Sequence, residues 1–345
     1  MNGAVPAVIA VDGGNSKSDL ALVAGDGTLL ASARGPGITK PDLTTTLGLL
    51  ASLIDQAQRQ TGGRGCPAAR HLSACVANAD LPEEEKALTA ALRAQGWSGS
   101  TEVFNDTFAV LRAGLVTPAT DGLSPAADGP GRQHWGVAVT CGAGINCVGV
   151  APDGRRTGFL ALGTITGDWG GGHGLGQAAL WWAMRAEDGR GPETALRGAV
   201  AAHFGVPSVR DVAVGIHLGT ISEASLGGLA PVVLALAGTG DDIAAGLVRR
   251  QAGEICVMAL TVMRRLGLTA LATPVVLGGS VLAARDPVLT AAVIDGIRAS
   301  APHAAVRITD VPPVAGAALL GFDHLGAGPE AERRLRADYA ERTPP

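Results

Sequence analysis

Two short segments combine glycine with small polar residues in the same way. They are Asp12-Gly13-Gly14-Asn15-Ser16-Lys17-Ser18 and Cys141-Gly142-Ala143-Gly144-Ile145-Asn146. Glycines between two strands let the backbone approach a ligand closely, and neighbouring hydroxyls donate to phosphate oxygens. Asp12 heads the first segment, where a carboxylate can hold Mg²⁺, usually through water because that ion keeps much of its hydration. Either segment alone reads equally well as a plain hairpin turn. Their recurrence in matching surroundings favours phosphate binding, with one hairpin on each side of a nucleotide's β- and γ-phosphates. Neither is a Walker loop, since GxxxxGK[ST] is absent, and no GxGxxG follows a strand and opens a helix. The seven histidines lack HxH and HExxH spacing, so zinc chemistry is not expected.

The surrounding pattern specifies what must position these turns. Val5 to Val11 reads as a strand, Leu20 to Val23 as a second, and Thr28 to Ala33, after the Gly25-Asp26-Gly27 turn, as a third. Residues 42–60 carry apolar positions at helical spacing, His71 to Val76 reads as a buried strand, and Pro82 to Gln95 as a helix opened by proline. Val103 and Phe104 then lead into Asn105-Asp106. The order strand, glycine turn, strand, DG turn repeats over Trp135 to Gly154, which predicts two homologous halves. Thr117 to Arg132, rich in Pro, Gly, Asp and Ala, reads as a surface loop or hinge. Helical character follows at 174–187, 193–203, 242–250 and 253–266. Pro274 to Leu277 reads as a strand ending at Gly278-Gly279-Ser280, and Val314 to Leu325 as a closing helix.

Composition narrows the function classes. Hydrophobic residues make up 47% and charged residues 17% of 345, enough for two globular domains. The net charge of −4 and the lack of any basic run argue against nucleic acid as a partner. No stretch approaches the roughly 20 apolar residues of a membrane span, and the N-terminus has no signal-peptide pattern. Five cysteines without paired spacing suggest reduced thiols. The expected location is therefore cytoplasmic, with no membrane partner. Core packing is the default for Trp181 and Trp182, solvation for the Glu83-Glu84-Glu85 run, and a loop position for His173.

Several segments together resemble the BadF/BadG/BcrA/BcrD ATPase family, which includes N-acetylglucosamine kinases and belongs to the sugar kinase, Hsp70 and actin superfamily. They are VDGGNSKSDLALV, FNDTFAVLRAG, TCGAGINCVGV, LGTITGDWGGG, VVLGGSVL and PVAGAALLG, in that order along nearly the whole chain. The resemblance implies an α/β fold of two ribonuclease H-like, actin-like domains with an interdomain cleft. Residues 1–116 with 314–345 would form the first, and 117–313 the second, which binds nucleotide and dimerises. It implies an ATP-dependent kinase that uses Mg²⁺ and phosphorylates a sugar hydroxyl, N-acetylglucosamine or a related amino sugar, as a homodimer. An ATPase activator or nucleotide-responsive protein without a sugar acceptor is the alternative.

Residue by residue, the resemblance assigns Gly13, Gly14, Asn15, Ser16, Lys17, Cys141, Gly142, Ala143 and Gly144 to the phosphates, with Asp12 on Mg²⁺ through water. Gly278, Gly279 and Ser280 go to adenosine. Asp106 becomes the catalytic base, kept ionised by the helix that follows it, although a mere N-cap suits the same position. Thr39, Asn105, Asp106, Gly163 and Asp168 contact the sugar, Asp168 being the other candidate N-cap. Departures cluster on the acceptor side. Ala161-Leu162-Gly163 stands where the kinases carry Gly-Trp-Gly, and Trp169 where an acidic residue follows Gly-Asp.

Overall fold

A computed structural model of the chain describes residues 5–38, 42–62, 69–77, 79–115 and 134–342. Thr39 and the hinge expected at Thr117 to Arg132 lie outside the described residues. The first sheet contains β1 (Val8–Gly13), β2 (Lys17–Val23), β3 (Leu29–Pro36), β4 (Ala69–Val76) and β5 (Ser98–Phe104), in the order β3-β2-β1-β4-β5. The three N-terminal strands form the expected antiparallel meander, and β4 and β5 add in parallel to β1. Every residue of β1 is buried, as the central strand of a sheet covered on both faces must be.

Helices α1 (Leu43–Gln60) and α2 (Pro82–Ala94) lie in sequence between these strands, and α3 (Asp106–Gly114) follows β5. Asp42 caps α1 by accepting from the Thr44 and Thr45 amides at 3.3 and 3.0 Å. One core gathers Ile9, Val11, Leu20, Leu22 and Leu72 with Leu50, Leu53, Ile54, Leu88 and Leu92 of α1 and α2. Alternation along the strands sends Val8, Ala10, Ala21, Val23, Cys75 and Phe104 into a second core.

The second sheet repeats the order. It contains β6 (Gly136–Cys141), β7 (Ile145–Val150), β8 (Arg156–Gly158), β9 (Pro274–Gly278) and β10 (Ala305–Ile308), arranged β10-β9-β6-β7-β8. Read from β8, this is the strand order of the first sheet, so the duplication seen in the sequence is a duplication of topology. Between β8 and β9 stand α4 (Gly171–Glu187), α5 (Leu196–Phe204), α6 (Val209–His217), α7 (Ala230–Gly238) and α8 (Asp242–Leu266), and the short α9 (Ser280–Ala283) follows β9. α10 (Pro287–Ser300) precedes β10, and α11 (Pro313–Leu325) and α12 (Pro329–Arg342) end the chain.

The structure corrects several local expectations. The stretches 242–250 and 253–266 are one helix, α8, because the residues between them, Gln251 and Ala252, are buried on its inner face with no breaker. Trp181 is 52% exposed, with the Arg185 guanidinium 4.6 Å over its ring, so it is not core. Within the acidic run Glu84 is a cap: its carboxylate accepts from the Asp80 and Leu81 amides at 3.2 and 3.0 Å.

By internal contacts the chain divides into two compact units, 1–138 with 148–160 and 309–345, and 139–147 with 161–308. In the first unit α11 packs on the second core with Phe322 and Leu319, and crosses α3 at backbone contact. A Cβ on Gly316 would lie 1.9 Å from the Ala109 carbonyl oxygen. Buried Arg112 of α3 pairs with Asp323 of α11 at 2.8 Å and with Glu332 of α12 at 2.7 Å, tying the C-terminal helices to the sheet. Removing one partner of such a pair costs about 3–5 kcal/mol, because the other charge stays buried alone. No single helix among the described residues is long and apolar enough to cross a membrane.

Candidate active site

In the first unit the turn between β1 and β2 exposes Asn15, Ser16 and Lys17, with Gly14 half-buried and Gly13 buried. The Gly14 amide donates to the Lys17 carbonyl at 2.9 Å, and the Ile38 amide to the Gly14 carbonyl at 3.0 Å. The end of β3 runs against this turn so closely that a Cβ on Gly37 would lie 2.1 Å from the Asn15 carbonyl oxygen. The Lys17 ammonium rests on Asp19, 3.1 Å away, and Arg34 Nε donates to the same carboxylate at 2.6 Å.

Asp12 pairs across the ladder with Asp19, but is placed differently. It is 7% exposed, and its carboxyl is pushed up to about 8 by burial, then by the charges of Asp106 and Asp19; Lys17 and Arg34 pull the other way. A carboxyl that must hold a proton at neutral pH among other carboxylates suits a hard cation, which would displace that proton. The donor set therefore fits Mg²⁺.

Asp106 is the first residue of α3. Asn105, not Asp106, is the N-cap: its side-chain oxygen accepts from the Thr107 amide at 2.9 Å, while its amide donates to Asp80 at 2.7 Å. The capping that competed for Asp106 thus falls to its neighbour; Asp106 itself is half-buried, and the Thr107 hydroxyl donates to its carboxylate at 3.3 Å. Enclosure by protein pushes Asp106 up to about 6, against the lowering pull of the Thr107 hydroxyl and amide. A carboxylate poised there holds and releases a proton near neutrality. On the same strand end, Arg156 lies 5.2 Å over the Phe104 ring and 5.5 Å over that of Phe108.

The second unit holds a second glycine turn, built from backbone. Gly142 is half-buried and Ala143 and Gly144 are exposed at the β6–β7 turn, with nothing within 4 Å of a Cβ on Gly144. The Gly142 amide donates to the Gly144 carbonyl at 2.9 Å. The Cys141 side chain is wholly buried and its thiol pushed up to about 12, so only its backbone can serve a ligand. Beside the turn stands Gly279 (φ +88°), whose Cβ would lie 2.4 Å from the Cys141 carbonyl carbon; Gly278 is buried and Ser280 exposed. Thus the Gly278–Ser280 turn meets the Cys141–Gly144 turn directly.

The glycines after Asp168 do something the sequence did not disclose. The Gly172 and His173 amides donate to the Gly142 and Ala143 carbonyls at 2.7 and 2.9 Å, and the Gly171 amide to Gln251 Oε1 at 2.9 Å. A Cβ on Gly171 (φ +69°) would sit 2.4 Å from the Gly144 carbonyl oxygen. Gly171 is glycine because the start of α4 presses on the β6–β7 turn, and a Cβ on Gly172 would lie 3.0 Å from the Gly227 carbonyl oxygen. Fully buried Gln251, which local pattern could not single out, holds that junction from α8.

Gly163 and Asp168 share one exposed loop, in which the Asp168 amide donates to the Gly163 carbonyl at 3.0 Å and the Thr166 hydroxyl to the Asp168 carboxylate at 2.5 Å. Asp168 caps no helix, since α4 begins after Gly170 without a side-chain cap.

The BadF/BadG/BcrA/BcrD ATPase family matches residues 9–321. The chain is 24% identical over 263 residues, 76% of its length and 80% of the relative's, to an N-acetylmuramic acid/N-acetylglucosamine kinase of Clostridium acetobutylicum. A Chromobacterium violaceum structure, provisionally assigned as an N-acetylglucosamine kinase, superposes with TM-score 0.69 at 24% identity, covering 92% of this chain and all but 1% of the other (99%). A ROK family glucokinase of Streptomyces griseus, solved with glucose and AMPPNP, superposes with TM-score 0.57 at 15% identity over 91% of this chain and 98% of that one. With a profile match across most of its length and the duplicated strand order, the chain belongs to the BadF/BadG/BcrA/BcrD ATPase family.

Proposed function

We propose that this protein is an ATP-dependent kinase that phosphorylates a hydroxyl of a sugar, N-acetylglucosamine or a related amino sugar. The observation that carries it is Asp106: a half-buried acid at a helix start, relieved of capping by Asn105 and held near neutrality. In this reading Asp106 takes the proton of the acceptor hydroxyl as that oxygen bonds to the γ-phosphorus; the bond to the β-bridging oxygen breaks and ADP leaves. Gly13 to Lys17 and Cys141 to Gly144 each offer turn backbone to phosphate oxygens, and Gly278 to Ser280 to the adenosine. Asp12 would hold Mg²⁺ through water, the ion supplying charge neutralisation on the phosphates. Asp168 and Gly163 serve the acceptor, together with Thr39.

Both the relative named as an N-acetylmuramic acid/N-acetylglucosamine kinase and the family match support this reading. The proposal places the first hairpin and Asp106 in a domain of residues 1–116 with 314–345, and the second hairpin in 117–313, in a cytoplasmic homodimer. The test is ADP release from Mg·ATP against amino sugars, N-acetylated sugars, neutral hexoses and cyclitols. Stimulation by one acceptor, lost in Asp106→Asn, is expected. Hydrolysis indifferent to every acceptor would instead favour an ATPase activator.

A further inference from the structure

The α11 face of β4 and β5 carries a polar patch away from the residues assigned above. Parallel pairing sets His71 opposite Ser100 and Ser73 opposite Glu102, and side-chain alternation puts His71, Ser100 and Glu102 on one face. The last turn of α11 brings His324 onto the same spot: the two imidazoles stack with centroids 4.1 Å apart and planes at 19°.

One hydroxyl orients both rings. Ser100 Oγ donates to the Arg70 carbonyl at 3.3 Å, which leaves its oxygen only able to accept. His71 Nδ1 lies 2.8 Å and His324 Nε2 3.3 Å from that oxygen, and a metal-binding tautomer of each ring places its N–H there. The remaining nitrogens, His71 Nε2 and His324 Nδ1, then carry lone pairs. They face Glu102 Oε2 at 3.9 and 3.3 Å. Among the described residues His71 Nε2 has no hydrogen-bond partner, although the residue is 0% exposed. In that tautomer three acceptors converge without a donor, an arrangement that a cation satisfies.

We propose that His71, Glu102 and His324 bind a divalent cation of the Zn²⁺ type, clipping the end of α11 to β4 and β5. One ligand atom from each residue lies within 4.8 Å of the other two. Two donors on a tetrahedral ion with bonds of about 2.0–2.1 Å stand roughly 3.3 Å apart. The 3.9 Å between His71 Nε2 and Glu102 is too long for a hydrogen bond, but closes to that value with a small side-chain shift. Two imidazoles and one carboxylate select a borderline metal over Mg²⁺ or Ca²⁺. Ser100 supplies His71 with the outer hydrogen bond that metal-binding histidines need to fix their tautomer. The His324 and Glu102 side chains are 34% and 41% exposed, giving the ion a way in and letting the His324 ring turn out of the stack to point its nitrogen. A fourth position stays open to water.

The site is independent of the kinase reading and is tested without nucleotide. The full-length chain is stripped with chelator and dialysed against Zn²⁺ alone. Bound metal is counted, melting is followed, and Co²⁺ is substituted for its visible spectrum. The expected result is one tight equivalent per chain, a Zn²⁺-dependent rise in Tm, and a tetrahedral Co²⁺ band. Surface-accessible His324→Ala and Glu102→Gln should each weaken binding tenfold or more and abolish the rise. Equal stoichiometry and affinity in both folded variants would place the metal elsewhere and overturn the proposal. So would a wild-type chain that retains no equivalent at tens of micromolar Zn²⁺.

Discussion

The β1–β2 and β6–β7 hairpins hold the same place in the same strand order, yet they are built from different materials. Around the first lie carboxylates: Asp12 in the strand, Asp19 across the ladder and Asp106 close enough to perturb Asp12. Around the second lies backbone: Gly279, Gly171 and Gly172 press against it, and the amides of α4 end on its carbonyls. The duplicated topology preserved the turns while their surroundings diverged. One half concentrates carboxylates, two of them, Asp12 and Asp106, with raised proton affinity. The other is a tight backbone seat for the glycines that pack on it. Carboxylates and close backbone packing have therefore separated between copies of one motif.

The strongest way to break this comparison is Asp106→Asn. Loss of a general base typically costs 10²- to 10⁴-fold in rate, so kcat should fall by about that much with the melting curve intact. In the wild type the rate should rise with pH through about 6, as Asp106 loses its proton, and fall about tenfold per unit below it. Asp168→Asn, in the other unit, should act mainly on KM for the acceptor. A comparable collapse of kcat there would show that acid–base work is shared.

Gly279→Ala tests the seat. Its φ of +88° and the 2.4 Å approach to Cys141 predict a loss of at least about 2–3 kcal/mol, measured by denaturant titration. Gly144→Ala has open space and should stay within about 0.5 kcal/mol of wild type, so any rise in its KM for ATP reports ligand contact directly. If Gly279→Ala is as stable as Gly144→Ala, the second hairpin is not the tight seat described.

Asp12→Asn separates the halves by pH. The native carboxyl holds its proton up to about 8, against 3.8 for its ordinary value, so the folded metal-free chain binds the extra proton and stability declines as pH rises between those values. Asparagine has no such decline. The variant should match wild type near pH 4 and exceed its Tm by several degrees at pH 8, while losing the response to Mg²⁺. Equal pH dependence in both proteins would remove the buried-acid account. Gln251→Leu leaves the Gly171 amide without its acceptor at a cost of about 1–3 kcal/mol. It should raise KM for ATP without changing the pH profile.

Much of this architecture was legible in the chain. The meander, the four-step repeat and the acid at the strand-to-helix junction follow from alternation, turn glycines and short-range order, all set within a few residues. The break read inside α8 failed because a buried glutamine interrupts an apolar pattern for a reason located on another element. Asp168 looked like a cap because capping residues are recognised by distance from a helix start, and glycines at 170–172 obscured where α4 begins.

The sequence by itself determined the N-terminal meander, the two glycine hairpins and the presence of a carboxylate after β5, because hydrophobic period and turn chemistry are local properties. Only the tertiary structure decided that Asn105 caps so that Asp106 need not, that Asp12 is buried among like charges, and that three glycines answer to packing. It alone brought His71 and His324, far apart in the chain, onto one serine. Desolvation and close approach depend on which distant segments share a space, and no window of neighbouring residues records that.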